Sequence, residues 1–416
     1  METVLNIVQT ITDMGASAIL PIIITILGLV FRMKFGQALK AGLTTGVGFI
    51  GLTLVVGLLE SSLDPAITYY SELGSGFTIT DIGWPAVGAA SWVAPFAALA
   101  IPLGLLINIV LVRTKVTKTL NVDIWNYMHF LVPGALAYAV FDSFWIGLGV
   151  TLLLSILALL IGDKVAPMWQ EYYGLEGTTP STVIHTGWTL PIAILVNKVI
   201  DLIPGLRDLD ISLDKVSKRL GIIGEPVVMG AIVGVVLAVL TRQGFTEAVP
   251  MAMGIAGVMV LMPKVVGVLM DGLSPIGKAA KAYMTKQMGD NTELNIGMDV
   301  ALGLGDPATI TVTVISIPLV MISALILPNM QAFPIGILMS ITYMAPMTVM
   351  ASKGNLLRSI ISTVVFCIIV MYVAGYVAPG ATEMLTSSGV SLNGLGTDFV
   401  LTGPWSILTY WLSTIF

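Results

Sequence analysis

The chain has 416 residues, of which 56% are hydrophobic and 10% are charged, and its formal net charge is -5. Soluble domains carry about 25% charged residues, so this composition excludes an ordinary globular protein and favours one whose surface lies in lipid. There is no basic tail to favour a nucleic-acid partner. Two histidines and a single cysteine are too few for a structural zinc site, and we predict no cofactor.

Eleven apolar runs approach the length of about 20 residues that a membrane-spanning helix needs. The run 126–161 is too long for one crossing, and we divide it at Asp142 and Ser143. The N-terminus lacks the basic segment and cleavage site of a signal peptide, so the first run is predicted to be a retained helix. The predicted spans lie near 11–31, 41–60, 93–112, 126–141, 143–161, 224–241, 248–270, 309–327, 334–350, 357–378 and 400–416.

Basic residues in the gaps between the spans predict the orientation. The first gap carries Arg32, Lys34 and Lys40, and the next gap, 60–81, carries only acidic charges. Since loops rich in Lys and Arg stay in the cytoplasm, the first gap is predicted to be cytoplasmic and the N-terminus to be outside. The loops 113–125 and 162–222 then also lie inside, which predicts a multi-pass protein of the cytoplasmic membrane.

An internal repeat relates the two halves of the chain. Residues 54–65 read LVVGLLESSLDP and residues 264–275 read KVVGVLMDGLSP. Matched Gly and Pro are harder to obtain by chance than matched Val. Two further matches follow in the same order, and the spacing between them is only two residues longer in the second half: Ile82-Gly83 with Ile296-Gly297, and Ile101-Pro102-Leu103 with Ile317-Pro318-Leu319.

Five spans in each half are an odd number, so the second half enters the membrane from the opposite side. This predicts two inverted repeats, which is the architecture of alternating-access carriers. The fold class is therefore an all-α polytopic membrane protein. We expect a first repeat at 1–161, a cytoplasmic or re-entrant connector at 162–222, a second repeat at 223–379 and a final transmembrane helix at 380–416.

Substrate sites of repeat carriers lie on broken helices near the middle of the membrane. Two Gly- and Pro-rich segments at equivalent places, 80–95 and 295–311, predict re-entrant hairpins. Their polar residues mark a path or a site by default. A carboxylate suits a sugar or polyol because it accepts hydrogen bonds from vicinal hydroxyls, and a tryptophan stacks on the C–H face. The candidates are Asp299, Asp306, Trp84 and Trp92, with helix capping or interfacial packing as alternatives.

Other polar candidates lie beside predicted helix breaks. Asp123, Asn126 and His129 follow one another at about one-turn spacing and share a face if the stretch is helical. His185 lies in the Gly- and Thr-rich stretch STVIHTGWTLP, and a structural role is the alternative for each histidine. Glu225 opens the sixth span, where it either lines the site or is a charge that the helix dipole favours.

Six motifs resemble those of a known family along nearly the whole chain. They are VDIWNYMH, DIGWP, GEPVVMG, LMPKVVGVLMDGLSPIGKAAK, NIGMDVALGLGDPA and SKGNLLRSIIS. The chain resembles the IIC component of the galactitol branch of the bacterial phosphoenolpyruvate-dependent phosphotransferase system, within the ascorbate–galactitol superfamily. The resemblance implies a homodimer in which a core domain moves beside a V-shaped scaffold domain, as in an elevator.

The resemblance also implies partners and site residues. In this family a separate IIB protein carries the phosphoryl group on a cysteine, and a IIA protein loads IIB through a histidine. Cys367 lies in the middle of a predicted span, so this chain is the transport subunit and not the phosphocysteine carrier. The polar binding positions of the family fall on His129, His185 and the aspartates of 295–311.

Two other mechanisms compete with group translocation of a galactitol-like sugar alcohol across the inner membrane. A cation-coupled secondary transporter would use Asp299 or Asp306 as its coupling carboxylate. A membrane-embedded enzyme would use His129 and Asp123 as an acid–base pair. The first alternative predicts accumulation that an ionophore abolishes, and the second predicts that the purified chain forms product alone.

Overall fold

The computed structural model describes residues 16–73, 79–81, 87–88, 90–91, 94–121, 123, 125–209, 211–213, 225–288, 294–387 and 404–415. Trp84 and Trp92 lie outside these residues. The described residues form twelve α-helices: α1 (Ala16–Val30), α2 (Phe35–Leu73), α3 (Ala97–Arg113), α4 (Trp125–Phe141), α5 (Phe144–Tyr173), α6 (Leu190–Asp201), α7 (Pro226–Leu240), α8 (Phe245–Met288), α9 (Pro307–Ile326), α10 (Ile335–Ala351), α11 (Leu356–Ser387) and α12 (Pro404–Ser413).

The predicted break in the run 126–161 is confirmed. Asp142 has a φ of 46°, a left-handed conformation that does not continue a helix. Ser143 then caps α5, because its side chain accepts a hydrogen bond from the backbone N–H of Ile146 at 3.4 Å. The helix α5 continues beyond the predicted end at 161 and stops at Gly174, whose φ of 66° suits a glycine C-cap.

Helices α2 and α8 are longer than the predicted spans 41–60 and 248–270. Each contains a proline at the equivalent place in the repeat, Pro65 and Pro275. Proline is tolerated inside membrane helices when neighbouring groups satisfy the freed backbone carbonyls. Both helices continue through these prolines, and in α2 the side-chain amide of Gln243 also donates to the backbone oxygen of Pro65 at 2.9 Å, which joins α2 to the segment between α7 and α8.

The helices pack in two groups. Helices α1, α2, α7 and α8 pack mainly against one another and form a four-helix group. Gly48 allows α2 and α8 to approach closely, since a Cβ atom placed there would lie 2.6 Å from the backbone of Leu269. The remaining helices form a second group together with the strands. The two groups meet where α8 contacts the segment that precedes α9.

Five short strands connect the two halves of the second group. Strand β1 (Ile79–Thr80) pairs in parallel with β5 (Ala332–Phe333), and Asp81 follows β1; these residues are the two-strand layer. Strand β2 (Thr119–Asn121) pairs in parallel with β4 (Asn295–Met298), which also pairs with β3 (Thr178–Pro180); these three strands are the three-strand layer. Both layers join residues more than 100 positions apart in sequence.

The segment 295–305 differs in form from the predicted hairpin. It is the strand β4 followed by a 3-10 helix at Val300–Gly305. The strand is possible at this place because β2 and β3 satisfy its backbone groups on both sides. The strands are two to four residues long, too short to show an alternating pattern, and for this reason they were not predicted.

Four helices among the described residues are long and apolar enough to cross a membrane, judged by length and composition. The chain is therefore mostly helical and its composition is that of a membrane protein, as predicted. The count of eleven spans and the topology of the repeats stay predictions. The four helices are Phe144–Tyr173, Phe245–Ala279, Pro307–Ile326 and Leu356–Ser387.

Candidate functional site

A buried polar cluster lies at the carboxyl ends of the three-strand layer. The strands of this layer are parallel, so the residues that follow them meet at one edge. Asp299 follows β4 and Thr182 lies two residues beyond β3. His129 in α4 and His185 at the start of a five-residue π-helix (His185–Thr189) complete the cluster. The structure thus brings together His129, His185 and Asp299, three residues that are far apart in the sequence, and their role in binding stays a prediction.

The carboxylate of Asp299 is the centre of this cluster. Its Oδ1 atom accepts a hydrogen bond from the backbone N–H of Ala301 at 2.7 Å, which caps the 3-10 helix. Its Oδ2 atom lies 3.4 Å from Thr182 Oγ1 and 3.9 Å from His129 Nε2. Both ionisable side chains keep a small exposed fraction, 14% for Asp299 and 11% for His129. The Oδ2 atom therefore faces polar side chains, and the Asp299 side chain is not fully enclosed.

Asn126 and Asp123 support the cluster from beneath. Both side chains are fully buried. Asn126 donates to Asn121 Oδ1 at 2.9 Å, and its own Oδ1 accepts from Thr182 Oγ1 at 2.9 Å. Asp123 Oδ2 accepts from the backbone N–H of Asp299 at 3.0 Å. These contacts fix the positions of Asp299 and Thr182. Asn126 and Asp123 therefore shape the cluster by holding these two residues in place.

The two imidazole rings are in edge-to-face contact with each other. Their centroids are 6.0 Å apart, and the ring planes are inclined at 66°. His185 Nδ1 lies 3.2 Å from Thr189 Oγ1. The π-helix that carries both residues is a wider turn, a form that is often found at functional sites. Two imidazoles, a carboxylate and a hydroxyl thus converge on one place and offer both hydrogen-bond donors and acceptors.

Asp306 lies at the other end of the 3-10 helix and caps α9. Its Oδ2 atom accepts from Thr309 N at 3.2 Å and from the Tyr172 hydroxyl at 3.2 Å. The capping alternative is therefore realised. A group of aromatic side chains lies beside it, with ring centroids of Tyr172 and Tyr173 at 4.7 Å. These tyrosines were not predicted as neighbours of the site. The available signal was their place in the run WQEYY at the end of a helix, where a tyrosine can pack its ring and hydrogen-bond through its hydroxyl.

The remaining candidates stand apart from the cluster. Glu225 is exposed at the start of α7, where its side chain makes no capping hydrogen bond. Thr182 was missed because nothing in the sequence distinguishes it from the other threonines of the same Thr-rich stretch. In the described part of the chain, no group of three or more His, Cys, Asp or Glu side chains has the arrangement of a metal site. The cluster suits a neutral ligand with many hydroxyls, which both donate and accept hydrogen bonds.

Known proteins resemble this chain over almost its full length. The model of the family described as PTS system sugar-specific permease component matches residues 10–394. The "PTS system galactitol-specific EIIC component" of Escherichia coli (strain K12) is 34% identical over 387 residues, which are 92% of this chain and 85% of that protein. The "Putative permease IIC component" of the same strain is 32% identical over 388 residues, or 92% of this chain and 88% of that protein.

Proposed function

Because the chain belongs to the family of sugar-specific permease components of the phosphotransferase system, we propose that it carries a galactitol-like sugar alcohol across the bacterial inner membrane. The predicted resemblance to a galactitol IIC component is confirmed. The substrate class rests on the name of the relative and on the chemistry of the polar cluster. The N-terminus is proposed to lie outside, as the basic loops predict.

The polar cluster carries this proposal. A hexitol presents hydroxyls on neighbouring carbons, and each hydroxyl is both a donor and an acceptor. Asp299 Oδ2 accepts hydrogen bonds from such hydroxyls, and charge-assisted hydrogen bonds of this kind are the strong ones. His129 lies beside this carboxylate and His185 against the ring of His129, which supports a role for both in hydrogen bonding to the adjacent oxygens. Asn126 and Asp123 hold these groups in place, and Asp306 with Tyr172 forms the margin of the site.

Transport follows an elevator-type alternating-access mechanism in this proposal. The strand-containing group carries the substrate and moves as the core domain, and the four-helix group is the scaffold of a homodimer. Two inverted repeats, α1–α5 and α7–α11, are supported by their similar order of helices and by the exchange of strands, since β1 pairs with β5 and β2 with β4. The substrate cluster lies inside the group that moves.

Phosphorylation of the transported sugar alcohol is proposed to occur on the cytoplasmic side. A separate IIB protein donates the phosphoryl group from its phosphocysteine, and IIA reloads IIB. A substrate oxygen forms the new P–O bond while the S–P bond breaks and the IIB thiolate leaves. Cys367 is fully buried in α11, so it is not accessible to a cytoplasmic phosphoryl donor. This supports the assignment of the phosphocysteine to a partner.

The decisive experiment measures uptake of radiolabelled galactitol into right-side-out vesicles that contain the chain and are loaded with phosphoenolpyruvate and the soluble phosphotransferase proteins. We expect accumulation as galactitol phosphate only with phosphoenolpyruvate and a complete set of IIA and IIB proteins. A IIB protein with its phosphocysteine changed to serine is the matched control. Accumulation of unmodified galactitol that an ionophore abolishes, without any need for IIB, would instead establish the cation-coupled transporter.

A further inference from the structure

Thr189 differs from several other helical threonines of the chain in its hydrogen bond. Thr45, Thr186 and Thr313 donate to the backbone carbonyl four residues earlier. Thr189 instead contacts the imidazole of the residue four positions earlier, with its Oγ1 atom 3.2 Å from His185 Nδ1. The backbone carbonyl of His185 accepts from Leu190, five residues on. The π-turn thus places the threonine hydroxyl on the imidazole.

The direction of this hydrogen bond follows from burial. The Thr189 side chain is fully buried, and His185 Nδ1 is its hydrogen-bond partner among the described residues. A hydroxyl that only accepted here would leave its own hydrogen buried and unsatisfied, which costs about 1–3 kcal/mol in proteins. The hydroxyl therefore donates to Nδ1. A neutral imidazole that accepts at Nδ1 carries its proton on Nε2.

We propose that Thr189 is a positioning residue that fixes His185 in the tautomer protonated at Nε2, so that His185 enters the substrate site as a hydrogen-bond donor. This inference rests on the proposed function, because it assigns His185 a role towards a polyol. Asp299 Oδ2 then supplies an acceptor and His185 Nε2–H a donor at one site. One hydroxyl of a vicinal pair donates to the carboxylate, and the neighbouring oxygen accepts from the imidazole.

Histidine-selective ¹⁵N NMR tests the tautomer directly, because the chain contains only two histidines. The full-length protein is purified with a tag that lacks histidine, and His129→Gln assigns the two sets of signals. In the absence of substrate, we expect His185 to show an unprotonated Nδ1 and a protonated Nε2. A protonated Nδ1 in the unmodified protein would overturn the proposal.

Substitutions of Thr189 separate positioning from packing. Thr189→Val keeps the shape but removes the hydroxyl, and we expect His185 to lose its fixed tautomer and galactitol binding to weaken about fivefold to tenfold. Thr189→Ser should restore both readouts. Thr186→Val is the matched control in the same turn, since its hydroxyl donates to the Thr182 carbonyl and not to an imidazole, and it should change neither readout. An unchanged tautomer in Thr189→Val would refute the inference.

The two proposals fail separately. The tautomer is measured without substrate, so it holds or fails whatever the transported molecule is. If galactitol uptake proves independent of IIB while His185 shows the expected tautomer, only the proposed function is lost. If Thr189→Val does not fold, the spectrum of the unmodified protein and that of Thr189→Ser still decide, because Thr189→Ser must retain the tautomer and the affinity of the unmodified protein.

Discussion

The two strand layers share one arrangement, an aspartate directly after a strand, but the two aspartates have different surroundings. In each, an aspartate follows a strand that pairs in parallel with a strand from the other half of the chain. Asp81, in the two-strand layer, accepts from the backbone N–H of Ile337 at 2.8 Å and is almost fully buried. Asp299, beyond the three-strand layer, has His129 and Thr182 beside its Oδ2 atom.

The difference arises from the third strand. In the described residues, β3 and the π-helix after it belong only to the three-strand layer. They bring Thr182 to the carboxylate and His185 to the imidazole of His129, and within that part of the chain the two-strand layer has no equivalent segment. Each carboxylate accepts a hydrogen bond from a backbone N–H at a helix start, but the second oxygen of Asp299 also lies beside side chains that donate and accept, an arrangement suited to binding a ligand. The two-strand layer thus holds a helix start, and the three-strand layer has in addition the polar groups of the proposed substrate site.

Asp299→Asn is expected to have the largest effect on binding. Loss of the negative charge weakens hydrogen bonds to substrate hydroxyls, and we expect galactitol affinity to fall about 100-fold, since hydrogen bonds to charged groups are worth about 1.5–3 kcal/mol each. Titration calorimetry of the purified protein measures the affinity. The exposed Asp208→Asn is the control and should bind normally. If Asp299→Asn binds galactitol with unchanged affinity, Asp299 is a structural residue like Asp81, and the proposed difference between the two layers is refuted.

Asp81→Ala should affect stability instead of binding. The backbone N–H of Ile337 loses its acceptor at the start of α10, and loss of such a cap costs about 1–2 kcal/mol. We expect a lower melting temperature in detergent and an unchanged galactitol affinity of the folded protein. Asp81→Asn retains an acceptor oxygen and should lose less. A large loss of affinity at normal stability would place Asp81 in a second binding site.

Gln170→Leu tests how firmly β3 is held against β4. The side-chain amide of Gln170 donates to the backbone oxygen of Thr178 at 3.0 Å and to Asn295 Oδ1 at 2.9 Å. Removing these hydrogen bonds should cost about 1 kcal/mol and weaken galactitol binding by a few-fold through displacement of Thr182. Thermal unfolding and titration together measure both effects. Equal affinity would mean that β3 stays in place without this amide.

Glu225→Gln should have the smallest effect, because Glu225 belongs to neither layer. Its exposed carboxylate lies at the start of α7, where a favourable interaction with the helix dipole contributes about 0.3–1 kcal/mol. We expect galactitol affinity and transport rate to match those of the unmodified protein. A loss as large as that of Asp299→Asn would show that Glu225 lines the transport path.

The polar residues of the site were more predictable from the sequence than their surroundings. His129, His185 and Asp299 were predicted because ionisable side chains are costly inside apolar segments and are therefore informative. Asp123, Asn126 and His129 were predicted to share a face if their stretch is helical. Asn126 and His129 do lie in α4, but α4 begins at Trp125, so Asp123 precedes the helix and reaches the cluster through the backbone N–H of Asp299. Thr182 and Thr189 carry no such signal, since threonine is common in membrane helices.

The breaks in the fold were predictable only where local chemistry sets them. Asp142 and Ser143 ended one helix and capped the next, as their sequence indicates. The prolines of α2 and α8 do not end their helices, which continue through them. A proline in the sequence was therefore not a reliable sign of a helix break. The strands depend on partners more than 100 positions away, and a pairing of two to four residues leaves no periodic pattern in either sequence segment.

The exchange of strands between the halves has a consequence for biogenesis. The backbone N–H that donates to Asp81 belongs to a residue 256 positions later in the chain. Strand β2 likewise pairs with β4, which is synthesised much later. The ribosome therefore delivers the first half to the insertion machinery before its strands have anything to pair with. Folding of the transporter can therefore be completed only after α10 has been synthesised. If the two halves are expressed as separate chains, each should be unstable alone, and activity should return when both are present.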